Sequence, residues 1–176
     1  KDKEQLQNFL GCLHIKNKIC LKNSGEKKEY WRVQFGDVNF YEFLLDIGLM
    51  PAKSKTMSKL EIPNKYFFDF LRGHFDGDGT FYSYWDKRWK SSFMFYTTFV
   101  SASKDHIAWL QKSVFVLLKI SGHITKSVNS SVYQLKYAKA DSLKLLPQIY
   151  NSSKVVCLRR KRLKIERVLS MIGMHL

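Results

Sequence analysis

Two aspartates stand two positions apart in segment 76–80, which reads Asp-Gly-Asp-Gly-Thr. Acidic segments rich in glycine occur in calcium loops, in metal sites and in structural turns. An EF-hand in this register would need an Asp at position 74 and a Glu at position 85. The chain has His74 and Trp85 there, which argues against an EF-hand. A structural turn, with Asp as a local cap and Gly in the left-handed conformation, remains open.

The position of the acidic segment suggests a functional interpretation as well. Apolar residues predict a helix over 66–75, so the carboxylates follow its C-terminus. Gly73 lacks a side chain inside this helix, which costs roughly 1 kcal/mol against Ala and suits a place where another helix packs closely. Two such helices side by side would bring two carboxylates together. Paired carboxylates form a site for a hard cation, Mg²⁺ in particular.

The chain carries a strong excess of positive charge. Its 176 residues include 30 Lys and Arg against 15 Asp and Glu, a formal net charge of +15. This excess favours a polyanionic partner. Nucleic acid is favoured over a membrane because the longest apolar run, near 114–118, is far shorter than the about 18 residues of a membrane span. With 45% hydrophobic residues the chain is globular rather than disordered.

The cysteines and the start of the chain bear on its compartment. Cys12, Cys20 and Cys157 form no C-x-x-C pair, which predicts free thiols in a reducing compartment. The first residues are charged and lack the apolar stretch of a signal peptide. We therefore expect an intracellular protein that is not secreted. Because residue 1 is Lys rather than Met, we also expect further residues before it.

The hydrophobic pattern predicts a helix–hairpin–helix unit twice. Apolar residues at helical spacing in 3–13 and 40–47 flank a hairpin whose second strand alternates over 30–35. A helix with Ser103 as its N-cap, strands over 123–128 and 132–137 and a closing helix repeat that order. Trp31 aligns with Tyr133 at an offset of 102, and Ile19 with Ile124 at an offset of 105. These offsets indicate an internal duplication.

A block between the two copies occurs once. It holds the helix over 66–75 and two strands over 81–89 and 92–101. The sequence therefore predicts an α+β fold of duplicated α-β-β-α-β-β-α units related by pseudo-twofold symmetry. We expect the remainder of the first repeat in 1–60, without its opening helix and hairpin, and a complete second repeat in 61–176.

Segment 71–79, which reads Leu-Arg-Gly-His-Phe-Asp-Gly-Asp-Gly, resembles the signature helix of LAGLIDADG homing endonucleases in the variant that ends F-D-G-D-G. The surrounding order of elements is also similar to theirs, so the resemblance covers essentially the whole chain. It implies antiparallel sheets that form a saddle over the DNA major groove, and metal-dependent hydrolysis of one phosphodiester in each strand. One departure is clear: the two-repeat, monomeric type needs two signature helices, and this sequence shows one.

The resemblance also implies roles for individual residues. Asp78 would bind a divalent metal, Mg²⁺ or in its place Mn²⁺ or Ca²⁺, and the carbonyl of Gly77 would assist, whereas Asp76 would be structural. A basic residue would lie near each active site. The candidates are Lys161 in the second repeat, with Arg159 and Arg160 as alternatives, and Lys53 in the first repeat, with Lys55 as the alternative.

Alternation along the strands predicts which side chains face DNA. Every second residue after Asp78 should face it, while Phe81 and Trp85 should face the core. Arg and Lys suit guanine and Gln suits adenine, but the base that each contacts stays open. The predicted DNA-binding residues are Lys18, Lys22, Arg32, Gln34, Thr80, Tyr82, Tyr84, Arg88, Tyr96, Thr98, His123, Thr125, Gln134 and Lys136, with Asp86 on the same face.

These observations predict a site-specific DNA endonuclease that makes double-strand breaks in a long recognition site. Its partner would be double-stranded DNA, and the full-length protein would be a monomer. The alternative is a binder that does not cleave: an intron-splicing maturase acting on RNA, or a transcription regulator on the same scaffold. Asp78 favours the enzyme, because a carboxylate aimed at phosphates does not help a binder. The sequence after the second repeat predicts no helix-turn-helix, which weakens the regulator.

Overall fold

A computed structural model describes residues 3–23, 29–88, 92–127 and 131–176. The first part of the chain has the predicted helix–hairpin–helix order. A separate two-stranded antiparallel sheet lies between its helices along the chain. The elements are α1 (Lys3–Leu13), β1 (Cys20–Asn23), β2 (Glu29–Arg32) and α2 (Val38–Asp46).

The second part contains the predicted α-β-β-α-β-β-α order, followed by one more helix. The α+β class is thereby confirmed, while the division of the chain after residue 60 stays a prediction. In the described residues no helix is both long and apolar enough to cross a membrane. After a short 3-10 turn (Asn64–Tyr66), the elements are α3 (Phe67–Asp78), β3 (Thr80–Trp85), β4 (Phe93–Ser101), α4 (Lys104–Leu118), β5 (His123–Lys126), β6 (Tyr133–Tyr137), α5 (Lys139–Ile149) and α6 (Arg159–Ser170).

Helix α3 extends further than its apolar pattern predicts. The sequence predicts an end at Phe75, but the helix continues through the acidic segment to Asp78. The N–H of Gly79 donates to the carbonyl of Phe75 at 2.9 Å, which closes the last turn. Asp76 is buried in this last turn, and its carboxylate accepts the N–H of Leu158. It is therefore part of the helix rather than of a loop. Asp78 is consequently the last helical residue and moves with α3.

Strands β3 to β6 form one antiparallel sheet in the order β3-β4-β6-β5. The register pairs Thr80 with Thr98, Thr98 with Lys136, and Lys136 with His123. One row of polar side chains therefore crosses all four strands. Because successive side chains of a strand point to opposite faces, the alternate residues, such as Phe99, lie on the other face. The sheet thus has a polar face and an apolar face.

The hydrophobic core lies on the apolar face of this sheet. Phe75 of α3, Phe95 and Phe99 of β4 and Leu110 of α4 are fully buried. Burial of each such side chain contributes about 1.5–3 kcal/mol. Among the described residues, burial begins at Leu60, so α1, α2 and the first hairpin contribute none of the buried side chains. This core therefore holds α3, and with it Asp78, in place.

The prediction that Trp85 faces the core is wrong in one respect. Trp85 pairs with Phe93 in the register, so it does lie on the apolar face. Its ring packs on that of Phe93 at 4.9 Å, yet 59% of Trp85 is exposed. It is the last residue of β3, which is shorter than the strand predicted over 81–89. Alternation predicts the face on which a residue lies but not whether a helix covers it.

Parts of two predicted hairpins are not described. Residues 89–91 lie outside the described residues, as do 128–130 of the second predicted hairpin.

Two hydrogen bonds attach the segment after α2 to helix α4. The hydroxyl of Ser103 donates to the carbonyl of Met57 and also accepts from the N–H of His106, as predicted for an N-cap. Nδ1 of His106 lies 3.0 Å from the carbonyl oxygen of Ser58. These contacts fix the position of the segment that carries Lys53.

Candidate active site and nucleic-acid interface

Asp78 is exposed at the end of α3, where it borders two cavities. We call the first, of about 400 Å³, the α6 cleft; it is lined on one side by residues 77–81 and on the other by residues of α6, including Lys161. We call the second, of about 590 Å³, the α3 groove; it contains Lys53 and His74. Asp78 therefore shares one cavity with each basic residue that the resemblance assigns to an active site.

Asp76 has a different environment from Asp78. Only 3% of it is exposed. Its Oδ2 accepts the N–H of Leu158 at 2.7 Å, and its Oδ1 accepts the hydroxyl of Tyr150 at 3.5 Å. Burial raises the pKa of the Asp76 carboxyl, and the N–H of Leu158 opposes this shift. Since Leu158 immediately precedes α6, Asp76 ties the end of α3 to the start of α6.

Lys161 lies in the first turn of α6 and contacts the end of α3. Its Nζ donates to the carbonyl of Phe75 at 2.5 Å and to that of Gly79 at 2.6 Å. It also lies 5.0 Å from the ring centroid of Phe75. The C-terminal end of a helix carries partial negative charge, so an ammonium group stabilises it there. Lys161 thus positions the backbone on either side of Asp78 and adds positive charge to the α6 cleft.

Arg159, Arg160 and Lys161, the candidates for the basic residue of the second predicted repeat, lie in different environments. The backbone N–H of Arg159 donates to Glu4 at 3.2 Å, and Arg159 lines another cavity with Cys157. Arg160 and Lys161 both line the α6 cleft. The geometry therefore places Lys161 and Arg160, but not Arg159, beside Asp78.

We expect the Lys161→Met substitution to slow DNA cleavage about 100-fold, because it removes a cation from the site and releases the end of α3. The free energy of unfolding should fall by about 1–2 kcal/mol, since two carbonyls lose a charged donor. Single-turnover cleavage and urea denaturation measure the two effects. Lys154→Met, which removes an exposed cation elsewhere, is the matched control. Unchanged cleavage by a folded Lys161→Met protein would exclude Lys161 from the active site.

Lys53 lines the α3 groove together with apolar side chains such as Leu49, Met57 and Phe70. Its carbonyl accepts the N–H groups of Met57 at 2.8 Å and of Thr56 at 3.1 Å, which forms a local turn. The anchoring of Met57 on α4 then fixes this turn beside α3. Gly73 also lines the groove, and a Cβ built on it would meet nothing within 4 Å. The predicted approach of a second helix to Gly73 therefore stays a prediction.

Two histidines form a stacked pair at the side of this groove. The rings of His74 and His106 lie 5.4 Å apart at an interplanar angle of 20°. Nδ1 of His74 and Nε2 of His106 are buried and have no hydrogen-bond partner among the described residues. Burial, with the neighbouring imidazole, lowers the pKa of His74 to about 4, and burial also lowers that of His106. Both imidazoles are therefore neutral at pH 7.

The polar face of the four-stranded sheet carries the predicted DNA-binding residues of the second repeat. Thr98 lies on this face as predicted, but only 3% of it is exposed, and its contact with DNA stays a prediction. Thr98 is central in the row that crosses the sheet, where the neighbouring strands flank a short side chain. The others are exposed or half-buried: Thr80, Tyr82, Tyr84, Arg88, Tyr96, His123, Thr125, Gln134 and Lys136.

The first hairpin presents a second basic surface. In its register Cys20 pairs with Arg32 and Lys22 pairs with Tyr30, so Lys22 and Arg32 lie on one face of the hairpin. Lys18 and Gln34, which adjoin the strands, are exposed as well. The four residues predicted to bind DNA in the first repeat are therefore all accessible.

Two residues that line or support the candidate site were absent from the sequence prediction. Lys164 lines the α6 cleft, and its Nζ donates to the carbonyl of Phe81 at 2.6 Å. Its spacing of three residues from Lys161 puts both on one helix face, which is a signal that sequence analysis could have used. Arg72 is buried in α3 and donates to the carbonyls of Ile149 and Val156, which ties α3 to the end of α5 and to the segment that follows it. The sequence offered no signal for that contact.

Comparison with known proteins identifies this architecture. No family model and no curated protein sequence matches the chain. Among solved structures, the homing endonuclease I-WcaI bound to its DNA recognition sequence matches 94% of this chain and 72% of its own, with 14% identity and a TM-score of 0.56. Meganuclease I-SmaMI bound to uncleavable DNA matches 97% of this chain and 76% of its own, with 14% identity and a TM-score of 0.55.

A third similar structure is the N-terminal LAGLIDADG domain of DUF199/WhiA. It matches 85% of this chain and 67% of its own, with 16% identity and a TM-score of 0.54. Identities this low support the fold and leave individual residue roles to be argued from the site. The resemblance that the signature helix indicates is confirmed at this level: the chain has the fold of the LAGLIDADG homing endonucleases.

Proposed function

We propose that this protein is a site-specific DNA endonuclease that hydrolyses phosphodiester bonds beside Asp78. The observation that carries this proposal is the position of Asp78. It is an exposed carboxylate at the end of α3, between two cavities that each contain a basic residue. The polar face of the sheet begins at Thr80, two residues further along the chain. DNA bound on that face would therefore pass the carboxylate.

The residues around Asp78 fit a hard divalent cation such as Mg²⁺. The described residues contain no group of three or more His, Cys, Asp and Glu side chains that could hold a metal by itself. Magnesium sites often use only one or two carboxylates, with water and substrate phosphates as the other ligands. Asp78 would provide the carboxylate and Gly77 a backbone carbonyl, both of them oxygen ligands. When bound, the ion would activate water and stabilise charge on the phosphate.

Other residues of the chain would support this reaction by fixing the position of Asp78 and by adding positive charge to the site. Asp76 and Lys161 fix the end of α3 against α6, so the Asp78 carboxylate keeps its position when DNA binds. Lys161 and Lys164 supply positive charge in the α6 cleft, which favours the negatively charged phosphate and the charge that develops on it. Lys53 would act similarly from the α3 groove. Cleavage of the second strand needs a second carboxylate related by the pseudo-twofold symmetry.

A binder that does not cleave is the second candidate. The observation that favours it is the similarity of the fold to the N-terminal LAGLIDADG domain of DUF199/WhiA. The endonucleases I-WcaI and I-SmaMI have a similar fold as well. The fold alone therefore does not decide between the two functions.

The decisive experiment incubates the protein with a library of randomised DNA duplexes and Mg²⁺, and sequences both bound and cut molecules. The endonuclease predicts cuts at one long consensus site and no cuts in EDTA. Because Lys and Arg contact phosphates, duplex affinity should fall at least about tenfold between about 50 and 200 mM salt. Selective duplex binding without cuts would establish the second candidate as a DNA regulator. Preference for structured RNA would instead point to a maturase.

A further inference from the structure

Asp86 and Arg88 form a forked ion pair just beyond β3. Nε of Arg88 donates to Oδ1 of Asp86 at 3.0 Å, and Nη2 donates to Oδ2 at 2.8 Å. The backbone N–H of Arg88 also donates to Oδ1 at 3.0 Å. The Asp86 side chain is 12% exposed and the Arg88 side chain is 81% exposed. A recessed carboxylate therefore holds a guanidinium group that projects into solvent.

This pair adjoins a column of stacked tyrosines on the polar face of the sheet. The rings of Tyr82 and Tyr96 lie 5.2 Å apart at 14°, and those of Tyr96 and Tyr84 lie 6.3 Å apart at 5°. Asp86 is close enough to Tyr96, and Arg88 close enough to Tyr84, for their charges to act on those hydroxyls. The ion pair thus belongs to the polar face and stands beside three nearly parallel rings.

We propose that Arg88 is a guanine-reading residue and that Asp86 is its positioning residue. A guanidinium group has five N–H donors. The ion pair with Asp86 uses two of them, Nε and one on Nη2, which leaves the edge formed by Nη1 and Nη2 outside the pair. Two parallel N–H donors match O6 and N7 of guanine in the major groove. This inference rests on the proposed binding of duplex DNA to the polar face.

The charge of the pair distinguishes base reading from phosphate binding. The hydrogen bonds from Arg88 lower the pKa of Asp86 to about 2, so Asp86 is ionised and cancels the charge of Arg88. A neutral pair releases few counterions from DNA and adds little to non-specific affinity. The orientation of the guanidinium group, by contrast, is set by the hydrogen bonds to Asp86. The pair is therefore suited to discriminate between bases rather than to attract the backbone.

The location of the pair separates this role from catalysis. Strand β3 spans five steps from Thr80 to Trp85, roughly 17 Å at about 3.3 Å per residue. Arg88 lies beyond the far end of that strand, whereas Asp78 lies just before its beginning. The guanine should thus lie several base pairs from the break. Changes at Arg88 should therefore act on the choice of site.

The test selects bound duplexes from a randomised library with the wild-type chain, Asp86→Asn and Arg88→Lys. Asparagine keeps an acceptor for the N–H of Arg88 and so preserves the turn. Both variants should lose guanine preference at one position of the site about tenfold or more, with the other positions unchanged. For Asp86→Asn the salt slope should become steeper by about one unit, because the arginine charge is released.

Lys87→Ala is the matched control, since Lys87 is an exposed cation between the two residues. It should flatten the salt slope and leave base preference intact. A uniform fall of affinity in Asp86→Asn, with guanine preference kept, would reduce Asp86 to a structural turn residue and overturn the inference. In that case wild-type selectivity for a duplex would still support the proposed function. A wild-type chain without any duplex selectivity would overturn both.

Discussion

The Asp78→Asn protein is expected to cleave DNA at least about 1,000-fold more slowly than the wild type. The substitution keeps the shape of the side chain and removes the charge that a divalent cation needs. Loss of metal-dependent stabilisation worth about 4 kcal/mol corresponds to three powers of ten in rate. Since Asp78 is exposed, its replacement should leave the free energy of unfolding within about 0.5 kcal/mol of the wild type.

The measurement compares single-turnover cleavage with duplex affinity in the same buffer. Duplex affinity measured in EDTA should stay within about threefold, or increase, because one negative charge near the phosphates is gone. Asp105→Asn, at an exposed carboxylate in α4, is the matched control and should cleave normally. If Asp78→Asn instead lost its duplex affinity or its cooperative unfolding, Asp78 would be a structural residue. Normal cleavage by this variant would contradict the proposed mechanism.

The order of elements could be predicted from the sequence because it depends on periodicity. Apolar residues at helical spacing marked α1, α3 and α4, and alternation marked the strands of both hairpins. Ser103 was predicted as an N-cap from its position alone, and its hydroxyl accepts the N–H of His106. These are local signals, and local propensity and burial agree at these positions.

Accessibility was harder to predict, because it depends on distant parts of the chain. Trp85 lies on the predicted face, but it is more than half exposed because it comes last in its strand. Thr98 lies on the predicted face but is buried by neighbouring strands. The sequence gives the types of these residues but not which other parts of the chain cover them. Strand alternation therefore predicts orientation better than accessibility.

In the candidate site, too, residue types could be predicted from the sequence but their contacts could not. Its carboxylate could be placed because the signature segment is contiguous, and Lys161 was one of three neighbouring candidates. Which of the three reaches α3 depends on how α6 packs, and one contact that positions α6 is the bond from Leu158 to Asp76, 82 residues away. The bond between Asp86 and Arg88 is local, but its function depends on tyrosines from two strands. Residue types were thus predictable, and their partners were not.

Replacing Asp76 by Ala should lower the free energy of unfolding by about 3 kcal/mol. The change leaves the N–H of Leu158 buried without its acceptor and removes the partner of the Tyr150 hydroxyl. A buried donor without a partner costs about 1–3 kcal/mol, and the lost bond to a charged acceptor adds to this. Urea denaturation at pH 7 measures the loss. Asp46→Ala, at an exposed carboxyl of α2, should change stability little.

The Asp76→Asn protein separates the hydrogen bond from the charge. Its amide oxygen still accepts the N–H of Leu158, so it should lose less stability than Asp76→Ala. Burial raises the pKa of the Asp76 carboxyl above its unfolded value of about 3.9. A raised carboxyl pKa favours folding fully below the unfolded pKa, and this contribution is lost as pH rises through the folded pKa. The stability of the wild type relative to Asp76→Asn should therefore decrease from pH 4 upward.

The same pair of variants tests whether Asp76 positions the active site. Loss of the bond to Leu158 frees the start of α6, which moves the ammonium group of Lys161 away from the end of α3. Under conditions where both variants are fully folded, Asp76→Ala should cleave DNA more slowly than Asp76→Asn, while duplex affinity differs little between them. Equal cleavage rates would show that Asp76 contributes stability alone, and that the position of α6 depends on other contacts, such as those of Arg72.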